Sequence, residues 1–313
     1  MAAPTNTFQT YDATGNREDL VEAIYNVAPW ETPFLSSMGK TKSTAIKHEW
    51  QIDSLDAAAN NAQIEGSDAS TDAVTATTRL DNYTVISDKV VRVTGTQDAV
   101  NKAGRAKEMA YQLVKSGHAM KKDIELMCFA NTAKAVGTDT VARQVGGFET
   151  YITTATSAGA GGSDAAGTGA DIRTDGTQRA FTESLLLDTH QAAWGAGGNP
   201  DTLYLGAFNK RVASAFTGVA TKFKDVDDKK IIASADVYVS DFGEIQIIPS
   251  RLCRSRTGYL VDHSMVKMAT LRDMSTVDLA KTGDSTQKQL ISEWTLEVCN
   301  EAAHGLIADL TTS

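Results

Sequence analysis

Apolar positions change period several times along the chain, and each change marks a segment. Asn16-Arg17-Glu18-Asp19 offers a helix start, with carboxylates in the first turn where they meet the positive end of the helix dipole. Leu20, Val21, Ile24 and Val27 follow at helical spacing, and Pro29 and Pro33 stop the helix. Pro29 to Leu35 is apolar, aromatic and rigid. Outside any regular element, Trp30, Pro33 and Phe34 must bury their rings somewhere, and another subunit is the expected place.

The period then shortens to two. Ile46, His48, Trp50 and Ile52 share one face of a predicted strand, with Lys47, Glu49 and Gln51 on the other. A return strand is predicted through Tyr83, Val85, Ile86, Val90, Val91 and Val93. Between them, Asp53 to Asn82 is rich in Ala, Ser, Thr and Asp, with Ile64 among its few large apolar residues. A two-stranded excursion cannot build its own core and is marginal alone. Trp50, Ile64 and Tyr83 therefore join Trp30, Pro33 and Phe34 as candidate contacts with a neighbouring subunit.

Residues 103–135 carry the strongest helical signal, with Ala106, Met109, Ala110, Leu113, Val114, Met120, Ile124, Met127 and Cys128 at 3–4 spacing. Such a helix would be roughly 45 Å long. Residues 146–257 read as a compact α/β unit interrupted by a flexible glycine-rich loop, Ser157 to Gly176. Its predicted parts are a helix capped by Thr182 and ended at Gly195 to Pro200, a buried strand at 201–206, and a helix through Val212 and Phe216. Strands at 235–240 and 244–249 flank a Phe242-Gly243 turn. Tyr259 to Val261, Val266 to Leu271 and Gln289 to Asn300 return to strands. The fold class is α+β.

Composition narrows the function. A net charge of −9 argues against gripping nucleic acid as the main task. There is no signal peptide, and no run approaches the ~20 apolar residues of a membrane span. Cys128, Cys253 and Cys299 are odd in number and far apart, so neither a disulfide framework nor a zinc site is expected. Gly39-Lys40-Thr41 lacks the upstream glycine of a phosphate loop, with Phe34 standing there. Asp241-Phe242-Gly243 lacks the other kinase motifs and reads as a turn. Asp262-His263-Ser264 has hydrolase residue types, but neighbours in sequence cannot form that geometry. The five histidines have no metal spacing. No catalytic residue, cofactor or metal is expected.

The order of parts, supported by short stretches, resembles the major capsid proteins of tailed phages and their Hong Kong-97-type fold. The stretches are Gly15 to Leu20, Pro29 to Leu35, Pro200 to Gly206, Ser240 to Gly243 with Ile247 to Arg251, and Ser292 to Glu297. The resemblance implies an N-arm (1–44), an E-loop hairpin (45–95), a P-domain with a long spine helix (96–145), an A-domain (146–257) and closing P-domain strands (258–313). It implies hexamers and pentamers tiling an icosahedral or prolate head around double-stranded DNA, assembled in the host cytoplasm and ending in the virion. Arm and E-loop would reach over neighbours. A portal, scaffolding and, as a further candidate, a decoration protein are the implied partners, and scaffolding would be a separate protein because the arm begins almost at once. Lys115, Lys121 and Lys122 are the candidates for non-specific contact with packaged DNA, against the plainer reading of a solvated helix face. The type member fuses subunits through an E-loop lysine. Between Asp53 and Asn82 this chain has none, so a noncovalent shell is expected. The competing classes are an encapsulin-like compartment, another phage structural protein such as a tail component, and a soluble α/β enzyme.

Overall fold

The computed structural model describes residues 31–55, 58–66, 68, 74–101, 107–216 and 237–313. The helix expected at 16–27 and the Trp30 contact lie outside the described residues. The first element is a single helical turn, α1 (Pro33–Ser37), followed by β1 (Gly39–Lys42) and β2 (Lys47–Ile52).

The return strand is two strands rather than one. β3 (Thr78–Tyr83) pairs antiparallel with β2, Trp50 opposite Leu80. At Thr84 the chain changes partners, and β4 (Val85–Thr94) pairs with the long β11 (Ser285–Val298), Val85 opposite Trp294 and Thr94 opposite Ser285. A partner as short as β2 cannot satisfy both, whereas β11 offers a continuous ladder. Thr84 marks the switch with its N–H to the Ile46 carbonyl (2.8 Å) and its hydroxyl to Glu293 (3.1 Å). β10 (Val266–Asp278) completes the sheet between β1 and β11, giving the order β1-β10-β11-β4.

A short helix, α2 (Gly95–Ala99), leads toward the spine helix α3 (Glu108–Phe129). At 22 residues α3 spans roughly 33 Å, shorter than its periodicity suggested. Residues 130–135 leave the helix because tertiary bonds claim them. Asn131 exchanges two hydrogen bonds with the Arg173 backbone (2.8 and 2.9 Å), and the Lys134 ammonium reaches the Thr168 carbonyl (2.7 Å). Met120, Ile124, Cys128 and Phe129 form its buried stripe.

A second, six-stranded sheet has the order β5-β12-β9-β6-β8-β7. Its strands are β5 (Ala155–Ser157), β6 (Thr202–Leu205), β7 (Val237–Ser240), β8 (Gly243–Pro249), β9 (Gly258–Val261) and β12 (Gly305–Ile307). α4 (Glu183–Gly195) and α5 (Ala207–Ala213) accompany them, and α5 stops short of Phe216, whose ring packs on Phe181 at 5.0 Å. Thr182 caps α4 as its sequence position predicts. The sheet recruits β9 and β12 from beyond residue 257, so the α/β unit is not contiguous in sequence.

The glycine-rich segment is held in place, not loose. Ser163 and Thr174 form a backbone bridge, and the buried Asp309 carboxylate accepts from the N–H groups of Gly159 and Gly176, both at 2.9 Å. One core joins arm, spine helix and second sheet. Phe34 lies 4.6 Å from Phe129 and 5.5 Å from Tyr204, and Phe129 lies 4.6 Å from Tyr259. Burying each such ring contributes about 2 kcal/mol.

Candidate functional site

Among the described residues, no group of three or more His, Cys, Asp or Glu is arranged to hold a metal ion. The motifs that borrow catalytic residue types are structural here. Asp262 caps a helical turn, accepting from the Ser264 N–H (2.9 Å) and hydroxyl (2.7 Å), while His263 Nε2 faces the Tyr204 hydroxyl at 3.0 Å. Gly39-Lys40-Thr41 is strand, paired parallel with β10. Gly243 adopts φ 147° in the tight turn between β7 and β8. Cys128 and Cys253 are buried, and burial pushes the Cys253 thiol up to about 12.

The features that stand out are surfaces. The β2–β3 hairpin is fastened at its base by the chain's own groups. His48 Nε2 lies 2.9 Å from Glu297 Oε2, and that bond, ahead of the opposing burial, holds the Glu297 carboxyl below the ordinary range. Asn82, fully buried, donates to the carbonyls of Leu296 (2.9 Å) and Gly146 (3.3 Å) and accepts from the Gly146 N–H (2.9 Å). Lys134 pairs with Asp81 at 2.9 Å. Behind the hairpin, Glu293 would be raised by burial, but hydrogen bonds from Arg272 (2.8 Å), Arg143 (2.6 Å) and Thr84 outweigh it and keep the carboxyl low.

Among the described residues, the far part of the hairpin has no ion pair and no buried hydrogen bond of this kind. Leu55, Ile64 and Val74 are 99%, 83% and 96% exposed. Near the base, Ile46, Ile86, Val136 and Val141 are all exposed around a groove of about 420 Å³. Isolated exposed apolar residues need no explanation, but a clustered set marks an association surface.

The six contacts expected across subunits divide accordingly. Phe34 is fully buried among Phe129, Phe148 and Tyr204 of its own chain. Trp50 is buried too, its ring 5.9 Å from Tyr151. Both rings are covered by their own chain, so neither needs a second subunit for burial, although the buried Trp50 Nε1–H has no hydrogen-bond partner among the described residues. Ile64 is exposed, and Pro33 and Tyr83 are half-buried. Of the three lysines, Lys115 and Lys121 are exposed on α3 and Lys122 is half-buried. Sequence reasoning missed the Ile46–Val141 groove, because its members come from three separated segments. It also missed Glu125, which is fully buried on α3. Asn82 it met only as the end of the polar segment after Asp53.

These features define a subunit class: two sheets joined by a spine helix, with a hairpin that is fastened at its base and exposes apolar side chains farther out. Solved structures share the fold over nearly the whole length. One is a subunit of the cyanophage A-1(L) capsid asymmetric unit (TM-score 0.67, 13% identity, covering 97% of this chain and 99% of that one). Another is from Mycobacterium phage Adephagia (0.61, 14%, 98% and 99%), and a third from the capsid of a native GTA particle (0.61, 11%, 96% and 98%). This is the Hong Kong-97-type capsid fold. The family model for the SU10 major capsid protein matches residues 3–311, and the chain belongs to that family of phage major capsid proteins, whose place is the virion shell. A major capsid protein of Escherichia phage Phieco32 is 37% identical over 145 residues, 46% of this chain and 40% of that protein. The chain thus matches less than half the length of that curated relative. No helix among the described residues is long and apolar enough to cross a membrane.

Proposed function

We propose that this chain builds a phage head, its copies forming hexamers and pentamers that close a shell around double-stranded DNA, without enzymatic activity of its own. The observation that carries the reading is the hairpin, firmly fixed at its base and bare at its end. Leu55, Ile64 and Val74 find no burial in the chain itself, so a neighbour's surface is their natural destination. The exposed groove at Ile46, Ile86, Val136 and Val141 is a second surface of this kind. Each contact is modest, and the lattice gains stability by multiplying them.

In this reading residues 1–44 are the N-arm, 45–95 the E-loop, 96–145 and 258–313 the P-domain, and 146–257 the A-domain. Trp30, Pro33, Ile64 and Tyr83 remain contact candidates. Lys115 and Lys122 lie seven positions apart, on one stripe of α3, and with Lys121 are the candidates to meet packaged DNA. A portal and a separate scaffolding protein are the proposed partners of such a shell, with a decoration protein as a further candidate. The family match supports a phage head over an encapsulin-like compartment.

Negative-stain imaging and size-exclusion chromatography of the expressed chain test the reading. Shells or capsomers are expected. Replacing Leu55, Ile64 and Val74 together by Ser should abolish shells while leaving the circular dichroism and melting of the subunit unchanged. A wild-type chain that stays monomeric at high concentration would overturn the proposal.

A further inference from the structure

β4 is an outer strand of its sheet. It pairs with β11 on one side, and among the described residues nothing pairs with its other side. The far edge of the same sheet is blunted, because β1 is four residues long and exposes Lys40 and Lys42. β4 has ten residues with no proline or glycine among them, so its outward N–H and C=O groups form a long row. Grooves lie along that row at both ends. One, of about 460 Å³, is lined by every residue from Val90 to Thr94 together with Gln112 and Ser116 of α3. The other, of about 420 Å³, is lined by both Val85 and Ile86. Successive strand residues point to opposite faces, so grooves that touch them all open at the edge.

The side chains define the occupant. Val85, Ser87 and Val93 are buried on the face that packs against α3, while Ile86, Asp88, Val90, Arg92 and Thr94 are exposed on the other. The exposed row is complementary to its own reverse. Run against a second copy with Val90 on the two-fold axis, it sets Val90 opposite Val90, Asp88 opposite Arg92 and Ile86 opposite Thr94. Neither charge has an ion-pair partner among the described residues. Asp88 accepts from Gln289 through Oδ2 (3.0 Å), and Arg92 donates from Nε to the Ser285 hydroxyl (2.9 Å) and from Nη2 to the Thr282 carbonyl (3.1 Å), which leaves Oδ1 and Nη1. Moving the axis to Lys89 or Val91 puts Asp88 opposite Val90 or Thr94 and loses both charge pairs. A register that brings Asp88 to Lys89 meets an ammonium already paired with Asp123 at 2.5 Å.

We propose that β4 pairs antiparallel with β4 of a second copy across a two-fold axis, joining two four-stranded sheets edge to edge. The backbone row supplies the ladder, and the two Asp88–Arg92 pairs fix the register around Val90. Such a contact uses the same patch on both copies and closes on itself, so in a shell it links subunits two by two. It goes beyond the reading of the chain as a head subunit, since it needs only two copies.

Disulfide trapping in the full chain tests the pairing, in a Cys299→Ser background that leaves only the buried Cys128 and Cys253. Val90→Cys should give a linked dimer on a non-reducing gel, from free chain or from shells. Its yield should exceed several-fold that of Ile172→Cys, a control at a similarly exposed position. A yield no higher than the control, in free chain and in any shells formed, overturns the pairing. Added to Val90→Cys, Asp88→Arg sets like charges face to face in both pairs, and Arg92→Asp does the same. Each should lower the yield several-fold. An equimolar mixture of the two variants should restore it, because every charge then faces its opposite across the axis. A mixture no better than either variant alone would overturn the register. Because dimers of the free chain suffice, the outcome is separate from whether shells form.

Discussion

His48 Nε2 and Glu297 Oε2 stand 2.9 Å apart, tying the first strand of the hairpin to the end of the longest strand in the fold. Both side chains are mostly buried, so the pair is more than a surface ion pair. A double-mutant cycle with His48→Ala and Glu297→Gln should give a coupling of about 1–2 kcal/mol in urea unfolding. Glu297 is held below the ordinary carboxylate range. Its contribution is therefore present above that range and lost as pH falls through the lowered folded value, and the coupling should shrink with it. A coupling independent of pH down to acid conditions would contradict this.

The Asn82 side chain makes four hydrogen bonds without solvent, the fourth accepted from the Tyr83 N–H at 2.9 Å. Asn82→Ala leaves the Gly146 N–H and the Leu296 carbonyl buried and unsatisfied, at a cost of about 3 kcal/mol measured by chemical denaturation. Hydrogen exchange should quicken first in β2 and β3, because Asn82, with His48, fastens the hairpin to β11.

Glu125 sits where arm, spine helix and the loop after β8 meet. Burial pushes its carboxyl up to about 7, against the Leu35 N–H and the Ser250 hydroxyl, which pull it down. The folded chain then holds a proton that the unfolded chain has released. Stability should fall as pH rises from the ordinary carboxylate range toward 7, by about 3 kcal/mol in all. Glu125→Gln should flatten that slope in melting curves taken across this range. An unaltered slope would show that Glu125 is not its source.

Asp309 is the anchor of the glycine-rich segment. It accepts from Gly159, Gly176 and Arg256, lies 3.7 Å from the fully buried Arg173, and adopts φ 61°. Asparagine tolerates that backbone, so Asp309→Asn isolates the charge. Arg173 keeps Asp164 and Arg256 keeps Asp175, so losing the Asp309 charge should cost about 2–3 kcal/mol by denaturant titration. Limited proteolysis should then cut between residues 157 and 176.

Much of the architecture was legible from local pattern. The Thr182 cap, the buried strand before Gly206, the Phe242-Gly243 turn and the alternation of β11 depend on neighbours in sequence, so they could be read there. Where long-range partners competed, local pattern failed. The continuous apolar alternation from Tyr83 to Val93 concealed the change of partner at Thr84. The helical period past Phe129 yielded to the bonds of Asn131 and Lys134. Phe34 and Trp50 were correctly read as rings that require burial, but a sequence cannot say whether the burying surface belongs to the same chain.

By itself, the sequence determined the α+β order of arm, hairpin, long helix, α/β unit and closing strands, and the capsid resemblance that order carries. Periodicity and turn chemistry act over a few residues, so one chain suffices to read them. Only the tertiary structure decided that Asn82 and His48 lock the hairpin's base while Leu55, Ile64 and Val74 stay bare, and that the second sheet borrows β9 and β12. It also left one edge of β4 unpaired among the described residues. Those facts depend on which distant segments share a core, and burial and desolvation set that only once the whole chain has folded.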